Sequence, residues 1–130
     1  MASELRVTTI ANNAGSESVD TTYVVNGSAK AFIFQNTGTT IRKSLNVASL
    51  VDNGSGDYIV NFTNNMDDIY YLPTSAQQPH DYTSSNVMII HGTRDNTDQN
   101  TDHFHQMAGK VSSTHVDSNG MRSTVFGDLA

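Results

Sequence analysis

The stretch DYIVNFT, residues 57–63, shows the pattern that decides the fold of this chain. Tyr58, Val60 and Phe62 are apolar and alternate with polar residues, and Ile59 is the one apolar residue out of phase. Because successive side chains of a β-strand point to opposite faces, this alternation predicts a half-buried strand. The turn-forming residues NGSG, at 53–56, precede the strand and predict a hairpin with the segment before them.

Other short apolar segments recur along the chain at about ten-residue spacing, with turn residues between them. KAFIFQ (30–35) is apolar on both faces and predicts a central strand, and the apolar phase of 39–52 changes near Ser44, which predicts a bulge or a break. Further strands are predicted at 4–10, 21–25, 69–73 and 86–93, with a final hairpin formed by 109–117 and 121–128. Roughly eight strands in this rhythm indicate an all-β fold, either a β-sandwich or a jelly-roll-like domain.

The beginning of the chain has a different character from the rest. A polar stretch, ANNAGSESVDT at 11–21, follows the strand predicted at 4–10. This pattern predicts an N-terminal arm and connector over residues 1–20 and a β-sandwich domain over residues 21–130. A single strand cannot bury a core of its own, so we expect the arm to pack on the domain or to dock on a neighbouring chain.

Composition excludes several classes of function. The 130 residues suit one domain, and seven basic against thirteen acidic residues give a net charge of −6. The basic residues are scattered along the sequence without a basic stripe, which argues against nucleic-acid binding. The absence of cysteine excludes disulfides and thiolate metal sites. No apolar run approaches the ~20 residues of a membrane helix, and MASELRV at the N-terminus has no apolar signal core, so membrane insertion is not expected.

The sequence TDHFHQ, residues 101–106, contains the one spacing that suggests a metal site. In a strand, His103 and His105 lie on one face and Phe104 on the other. One chain then offers two imidazoles, which is too few for a tight site. Three chains on a threefold axis would surround one point with six imidazoles, which suits an octahedral transition metal. Two solvated histidines at a strand end explain the same residues, and no other cofactor is expected.

Two further kinds of chemistry have weaker support in the sequence. Asp67-Asp68 and the loop RDNTDQNTD (94–102) offer oxygen ligands for calcium, but the loop lacks the glycine and glutamate of an EF-hand. Solvated polar loops explain both segments equally well. No GxSxG elbow and no HExxH motif occur, and His80, His91 and His115 stand alone. We therefore expect that the protein is not an enzyme.

One long stretch resembles a known family. Residues 21–68 resemble a domain common in virion proteins of marine tailed phages, often labelled tail fibre or tail protein. The pattern opens with VxGxAKAW, which residues 25–32 match with Phe32 in place of tryptophan, and continues with SxNVxSxxDNGxGDYxVxFT, which residues 44–63 match. MASELRVTTI, residues 1–10, is also similar to the start of short phage structural proteins.

The resemblance implies a structural component of a phage particle that is assembled in the host cytoplasm. The first expectation is a short tail fibre or fibre-like protein, a homotrimer that contacts other virion proteins and a host surface glycan or receptor. The alternative is a capsid decoration protein, of the cement or spike kind, that stabilises the head. A second alternative, from another class, is a small sugar-binding module or enzyme. The pair of His103 and His105 resembles the metal clasp along the threefold axis of some trimeric phage fibres and spikes.

Overall fold

A computed structural model describes residues 6–36, 38–78, 88–91, 99–110, 115, 117 and 119–130. Within these residues the chain forms ten strands and one seven-residue helix. In chain order the elements are β1 (Thr9–Ala11), β2 (Ser18–Asp20), α1 (Thr21–Gly27), β3 (Ala29–Asn36), β4 (Ile41–Leu45), β5 (Val47–Gly54), β6 (Asp57–Phe62), β7 (Leu72–Gln78), β8 (Met88–His91), β9 (His103–Lys110) and β10 (Gly120–Phe126).

Eight of these strands form two four-stranded antiparallel sheets. Sheet I has the strand order β4-β3-β10-β7, and sheet II has the order β5-β6-β9-β8. Apolar side chains from both sheets form one buried cluster, in which Phe104 and Val60 come from sheet II and Ile33 and Met121 from sheet I. Two antiparallel sheets that share a core in this way form a β-sandwich, so the predicted fold class is confirmed.

The alternation read from residues 57–63 is the pattern of burial in β6. Tyr58, Val60 and Phe62 are buried, whereas Ile59 is half-buried on the outer face of sheet II. Val60 pairs with Leu50 of β5 on one side and with Phe104 of β9 on the other. β6 is therefore an interior strand of its sheet, and its inward row forms the centre of the core.

The predicted break near Ser44 occurs two residues later, at Asn46. This residue has a φ of 53° and separates β4 of sheet I from β5 of sheet II. Asparagine tolerates this left-handed conformation better than most residues do. Its side chain also fixes the point where the chain passes from sheet I to sheet II. Asn46 Oδ1 accepts from the Asn64 amide (2.7 Å), and Asn46 Nδ2 donates to the Asn64 carbonyl (3.0 Å).

The interior of the sandwich also contains a chain of polar side chains. Gln35 on β3 and Gln106 on β9 are fully buried and join the two sheets by a hydrogen bond of 2.8 Å. Ser123 Oγ donates to Gln106 Oε1, and Ser123 and Ser75 share a hydrogen bond of 2.7 Å. Gln35 Nε2 donates to the carbonyl of Gly38 at 2.6 Å. These contacts fix how the two sheets face each other, because each buried polar group depends on its partner.

The strand predicted at 21–25 is wrong, because these residues form α1. Asp20 caps the helix, and its Oδ1 accepts from the Thr22 amide at 2.7 Å. Val24 and Val25 favour strands, but this preference stabilises a strand only through packing against neighbouring side chains. No side chain of α1 is buried, so that stabilisation is missing here. The cap therefore determines the conformation of this short segment.

The predicted final hairpin of 109–117 and 121–128 is also wrong in its pairing. The segment 121–128 does contain β10, but β10 pairs with β3 on one side and with β7 on the other. Both edges of β10 are thus occupied. Gly109 belongs to β9, and His115 forms an isolated bridge to it. Residues 111–114, 116 and 118 lie outside the described residues.

Three other predicted strands occur with shifted bounds. The strand expected at 4–10 is β1, and the connector expected at 11–21 contains the turn and β2, which pairs with β1. The strand expected at 69–73 begins at Leu72 and continues as β7 into the segment predicted to be a loop. The strand expected at 86–93 is β8.

Candidate functional site

β9 places His103 and His105 on the outer face of sheet II. Phe104, between them, is buried in the core and pairs with Val60, as the spacing of TDHFHQ predicts. The centroids of the two imidazole rings lie 6.1 Å apart. The prediction that one face of a strand carries both imidazoles is therefore confirmed.

The two histidines have similar partners but different exposure. His105 is buried, and its Nδ1 contacts Asp57 Oδ1 at 2.9 Å. Asp57 is also buried, and its Oδ2 accepts from Asn53 Nδ2 at 2.7 Å. Both oxygens of this carboxylate thus have a donor, as a buried charged group requires.

His103 forms the exposed counterpart of that pair. Its Nδ1 contacts Asp102 Oδ1 at 2.7 Å, and its Nε2 lies 3.2 Å from Asn100 Nδ2. Because an amide nitrogen only donates, Nε2 of His103 is the acceptor. Nδ1 therefore carries the proton and donates a hydrogen bond to Asp102. This arrangement places His103 in one tautomer.

A carboxylate on Nδ1 is the arrangement that orients many metal-binding histidines and leaves Nε2 to face the metal. His103 and His105 share this arrangement. Among the described residues, however, no group of three or more His, Asp or Glu side chains is placed to hold a metal ion. In addition, Nε2 of His103 is engaged by Asn100. The chain by itself thus offers two imidazoles, and the six-imidazole clasp stays a prediction about an assembly.

Tyr71 anchors the turn that leads into this pair. Its hydroxyl lies 2.8 Å from the carbonyls of both Asn100 and His103, and its own carbonyl accepts from Gln99 Nε2 at 2.6 Å. Burial, and next the charge of Asp102, raise the pKa of Tyr71 above its ordinary value. Tyr71 itself is buried in the core.

Of the acidic residues considered for calcium, Asp68 and Asp102 have local hydrogen-bond partners for their carboxylates. Asp68 Oδ1 accepts from the Tyr70 amide at 2.7 Å, and the Asp67 amide donates to the Asp128 carbonyl at 2.9 Å. In the loop 94–102, Asp102 contacts His103 and Gln99 contacts Tyr71. Residues 94–98 of that loop, and His80, lie outside the described residues.

The motif DNGSGDY, residues 52–58, builds a turn. Gly54 and Gly56 have φ values of 131° and 66°, which favour glycine. The Gly54 amide donates to Asp52 Oδ1 at 2.9 Å, and Asn53 donates to Asp57 as described above. Asp117 Oδ1 accepts from the Gly56 amide at 2.8 Å and holds the turn from outside. The residues of this motif therefore determine the β5–β6 hairpin.

The outer face of sheet I brings together basic and aromatic side chains that are far apart in the sequence. Phe34 pairs with Lys43 on β4 and with Arg122 on β10, and the Arg122 guanidinium lies 4.5 Å from the centre of the Phe34 ring. The basic face, as we name it, consists of Lys30, Phe32, Phe34, Lys43, Leu45, Leu72, Arg122 and Phe126. The basic residues are scattered along the sequence, but the fold brings Lys30, Lys43 and Arg122 to one face because β10 inserts between β3 and β7.

Residues 6–28, which we name the N-terminal unit, form a second exposed apolar surface. They comprise the β1–β2 hairpin and α1, and none of these elements buries a side chain. Its large exposed apolar residues are Val7, Ile10, Val19, Tyr23, Val24 and Val25. A surface of this kind on a small unit is typical of an interaction site.

Comparisons with known proteins give no relative. No family model, no curated protein and no solved structure matches the chain. In the described part of the chain, no helix has the length and the apolar character to cross a membrane. The resemblance of residues 1–68 to phage virion proteins therefore rests on the quoted motifs alone.

Proposed function

We propose that the protein is a structural component of a tailed-phage particle, a short tail fibre or fibre-like protein that acts as a homotrimer in host attachment. The motif resemblance supports this role. So does the form of the motif, since residues 52–58 build a hairpin turn and not a reactive cluster. A β-sandwich with short polar turns suits an exposed module that stays folded on the particle surface and binds a partner there.

The single observation that carries the proposal is the N-terminal unit. It exposes six large apolar side chains and buries none, although it directly precedes the central strand β3. A protein that acted alone in solution would gain nothing from such a segment. In a particle, the same segment joins the sandwich to a neighbouring subunit and leaves the rest of the domain exposed.

The alternative is a capsid decoration protein that stabilises the head. One observation favours it: the described strands beyond the N-terminal unit form a single sandwich and contribute no extended shaft. A small sugar-binding module or enzyme is the second alternative. Binding to a host glycan by a fibre and binding by a free sugar-binding module use the same chemistry, so location in the particle separates them.

The test is to find the protein in intact particles of the phage that encodes it. An antibody against the purified chain, visualised by gold labelling in electron microscopy, should mark the tail. Label over the head surface would favour the decoration protein. Particles that lack the chain, shown by mass spectrometry of the purified particles, would contradict both particle roles.

A metal on the threefold axis is a separate proposal. Carboxylates hold Nδ1 of His103 and of His105, so Nε2 of each ring would be the ligand atom once Asn100 releases that of His103, and a bound transition metal would crosslink the three chains there. Elemental analysis should give about one metal ion per three chains, and none in a His103→Ala, His105→Ala variant. A metal-free native trimer would contradict the clasp and leave the particle role intact.

A further inference from the structure

The N-terminal unit and the basic face carry opposite charge. The four strands of sheet I contain four basic residues and no acidic one, which gives +4, and three of these cations, Lys30, Lys43 and Arg122, belong to the basic face. The N-terminal unit, residues 6–28, contains Glu17 and Asp20 against Arg6, which gives 1 − 2 = −1. Both surfaces are also apolar, so they complement each other in two respects.

The N-terminal unit cannot be stable on its own contacts. Its hairpin has two strands of three residues each, and its helix has seven residues. Isolated hairpins and helices of this size are marginal in water. The free energy that orders the unit must therefore come from a surface outside it.

The chain's own sheet supplies little of that surface: Lys30 Nζ on β3 donates to the Val25 carbonyl and, at 2.9 Å, to Ser28 Oγ, but no side chain of α1 is buried. Ser28 follows α1 in an extended conformation, with a φ of −84° and a ψ of 144°, and β3 begins at the next residue. The chain thus continues from the helix into the strand without reversing over the sheet. In keeping with this path, Tyr23 is 75% exposed.

We propose that the N-terminal unit of one chain docks on the basic face of a second copy of this chain. The valines and Tyr23 of the unit then cover the three half-buried phenylalanines, and Glu17 meets the cations around them. The 23 residues of the unit match the roughly 20–30 residues that one side of a standard interface contains.

This contact joins two different surfaces, so repeating it gives a ring if the rotation closes and an open filament if it does not. A ring of three is the homotrimer of the proposed function. The inference thus adds the contact that would form this trimer, and for the closed ring it rests on the proposed function. The docking itself can fail while the particle role holds. In that case the antibody still labels particles, whereas the contact described below is absent.

Single-stranded nucleic acid is the other occupant that phenylalanines and cations on a sheet face could bind. The charge of the whole molecule favours the second copy. With +4 on sheet I and a net charge of −6, the remainder of the chain carries −6 − 4 = −10. That field repels a polyanion far more strongly than the N-terminal unit, whose own net charge is −1.

The experiment uses the natural absence of cysteine, which lets engineered thiols report on single positions. Full-length Tyr23→Cys protein is mixed with affinity-tagged, full-length Leu45→Cys protein and treated with a short bis-maleimide. The inference predicts a tagged heterodimer joined through Cys at positions 23 and 45, identified by mass spectrometry. Adding Lys43→Glu to the tagged chain should lower its yield.

The matched control places the second cysteine at position 51 instead of position 45. Val51 is 45% exposed, against 49% for Leu45, and lies on sheet II. Val51→Cys should react with Tyr23→Cys far less. Equal yields from positions 45 and 51 would overturn the inference. So would cross-linking confined to a single chain in a Tyr23→Cys, Leu45→Cys double variant. Binding of a labelled oligothymidine that Phe34→Ser abolishes would assign the basic face to nucleic acid and overturn it as well.

Discussion

Gln106 on β9 donates a hydrogen bond of 2.8 Å from its Nε2 to Oε1 of Gln35 on β3, across the interior of the sandwich. Both side chains have no exposed surface. The two residues belong to different sheets, so this contact joins sheet I to sheet II, and Ser123 extends the polar chain within a core that is mostly apolar. Buried polar groups of this kind stabilise the fold only while every partner is present.

Replacing Gln106 with leucine should strongly destabilise the domain. The change leaves Gln35 Oε1 without its donor and takes from Ser123 Oγ its acceptor on Gln106, so that only the contact with Ser75 remains there, at a cost of about 2–4 kcal/mol in the free energy of unfolding. Urea denaturation followed by circular dichroism measures the loss.

The double variant Gln35→Leu, Gln106→Leu is the informative comparison. Because it removes both members of the pair, it should lose less stability than the sum of the two single variants. An exposed substitution, Thr63→Ala, should change stability by less than about 0.5 kcal/mol. Additive losses would show that the two glutamines do not act as a pair.

Gly127 should tolerate no side chain. A Cβ at this position would lie 2.6 Å from the Cβ of Tyr71 and 3.2 Å from its Cα, so the backbone would have to move. Gly127→Ala should therefore lower the free energy of unfolding by about 1–3 kcal/mol. Thermal and urea unfolding both measure this change.

Gly27 provides the matched control, since a Cβ there meets no atom within 4 Å. Gly27→Ala should leave the stability of the sandwich within about 0.5 kcal/mol of the original. If the two alanine variants are equally stable, the close approach of Gly127 to Tyr71 is not a feature of the protein in solution.

The two carboxylate–histidine pairs should differ sharply in their contribution to stability. Asp57→Ala leaves the buried His105 without its acceptor, while the exposed Asn53 can turn to water, and it should cost about 2–4 kcal/mol. Asp102→Ala removes the same kind of contact from the more exposed His103 and should cost less than about 1 kcal/mol. The ordering of the two urea midpoints checks the prediction, and a reversed order would contradict it.

Stability should fall at high pH because of two buried tyrosines. Burial, and next the charge of Asp117, raise the pKa of Tyr58 to about 12, and the pKa of Tyr71 is raised as well. In the unfolded chain a tyrosine titrates at about 10. The folded state holds these protons more tightly, so this stability is fully present below about pH 10 and is lost as the pH rises through the folded pKa values.

Urea unfolding at a series of pH values, with the tyrosinate absorbance recorded in the folded baseline, measures this effect. Tyr58→Phe and Tyr71→Phe should each flatten the alkaline fall of the unfolding free energy. An unchanged slope in both variants would show that other groups cause it.

The sequence predicted those features of the fold that depend on the alternation of side chains along a single strand. Tyr58, Val60 and Phe62 gave a strand because burial alternates along it, and the same period placed His103 and His105 on one face. The strand predicted at Val24 and Val25 failed because propensity counts for little where nothing is buried.

The features that the sequence did not predict depend on pairing between distant segments. β10 lies between β3 and β7, and the alternation of apolar residues along a strand does not show which strands pair with it. The basic face exists only because of that insertion. Asp57 lies 48 residues from its partner His105, and Gln35 lies 71 residues from Gln106, so neither contact has a local signature.

The central claim is that the N-terminal unit assembles copies of this chain. The most direct measurement is the mass of the full-length protein by light scattering coupled to size exclusion, beside a Tyr23→Ser, Val24→Ser, Val25→Ser variant with the same sandwich. The account predicts the mass of three 14.1 kDa chains for the native protein and of one chain for the variant. A native protein with the mass of a single chain at every concentration, or a variant that keeps the native mass, would contradict it.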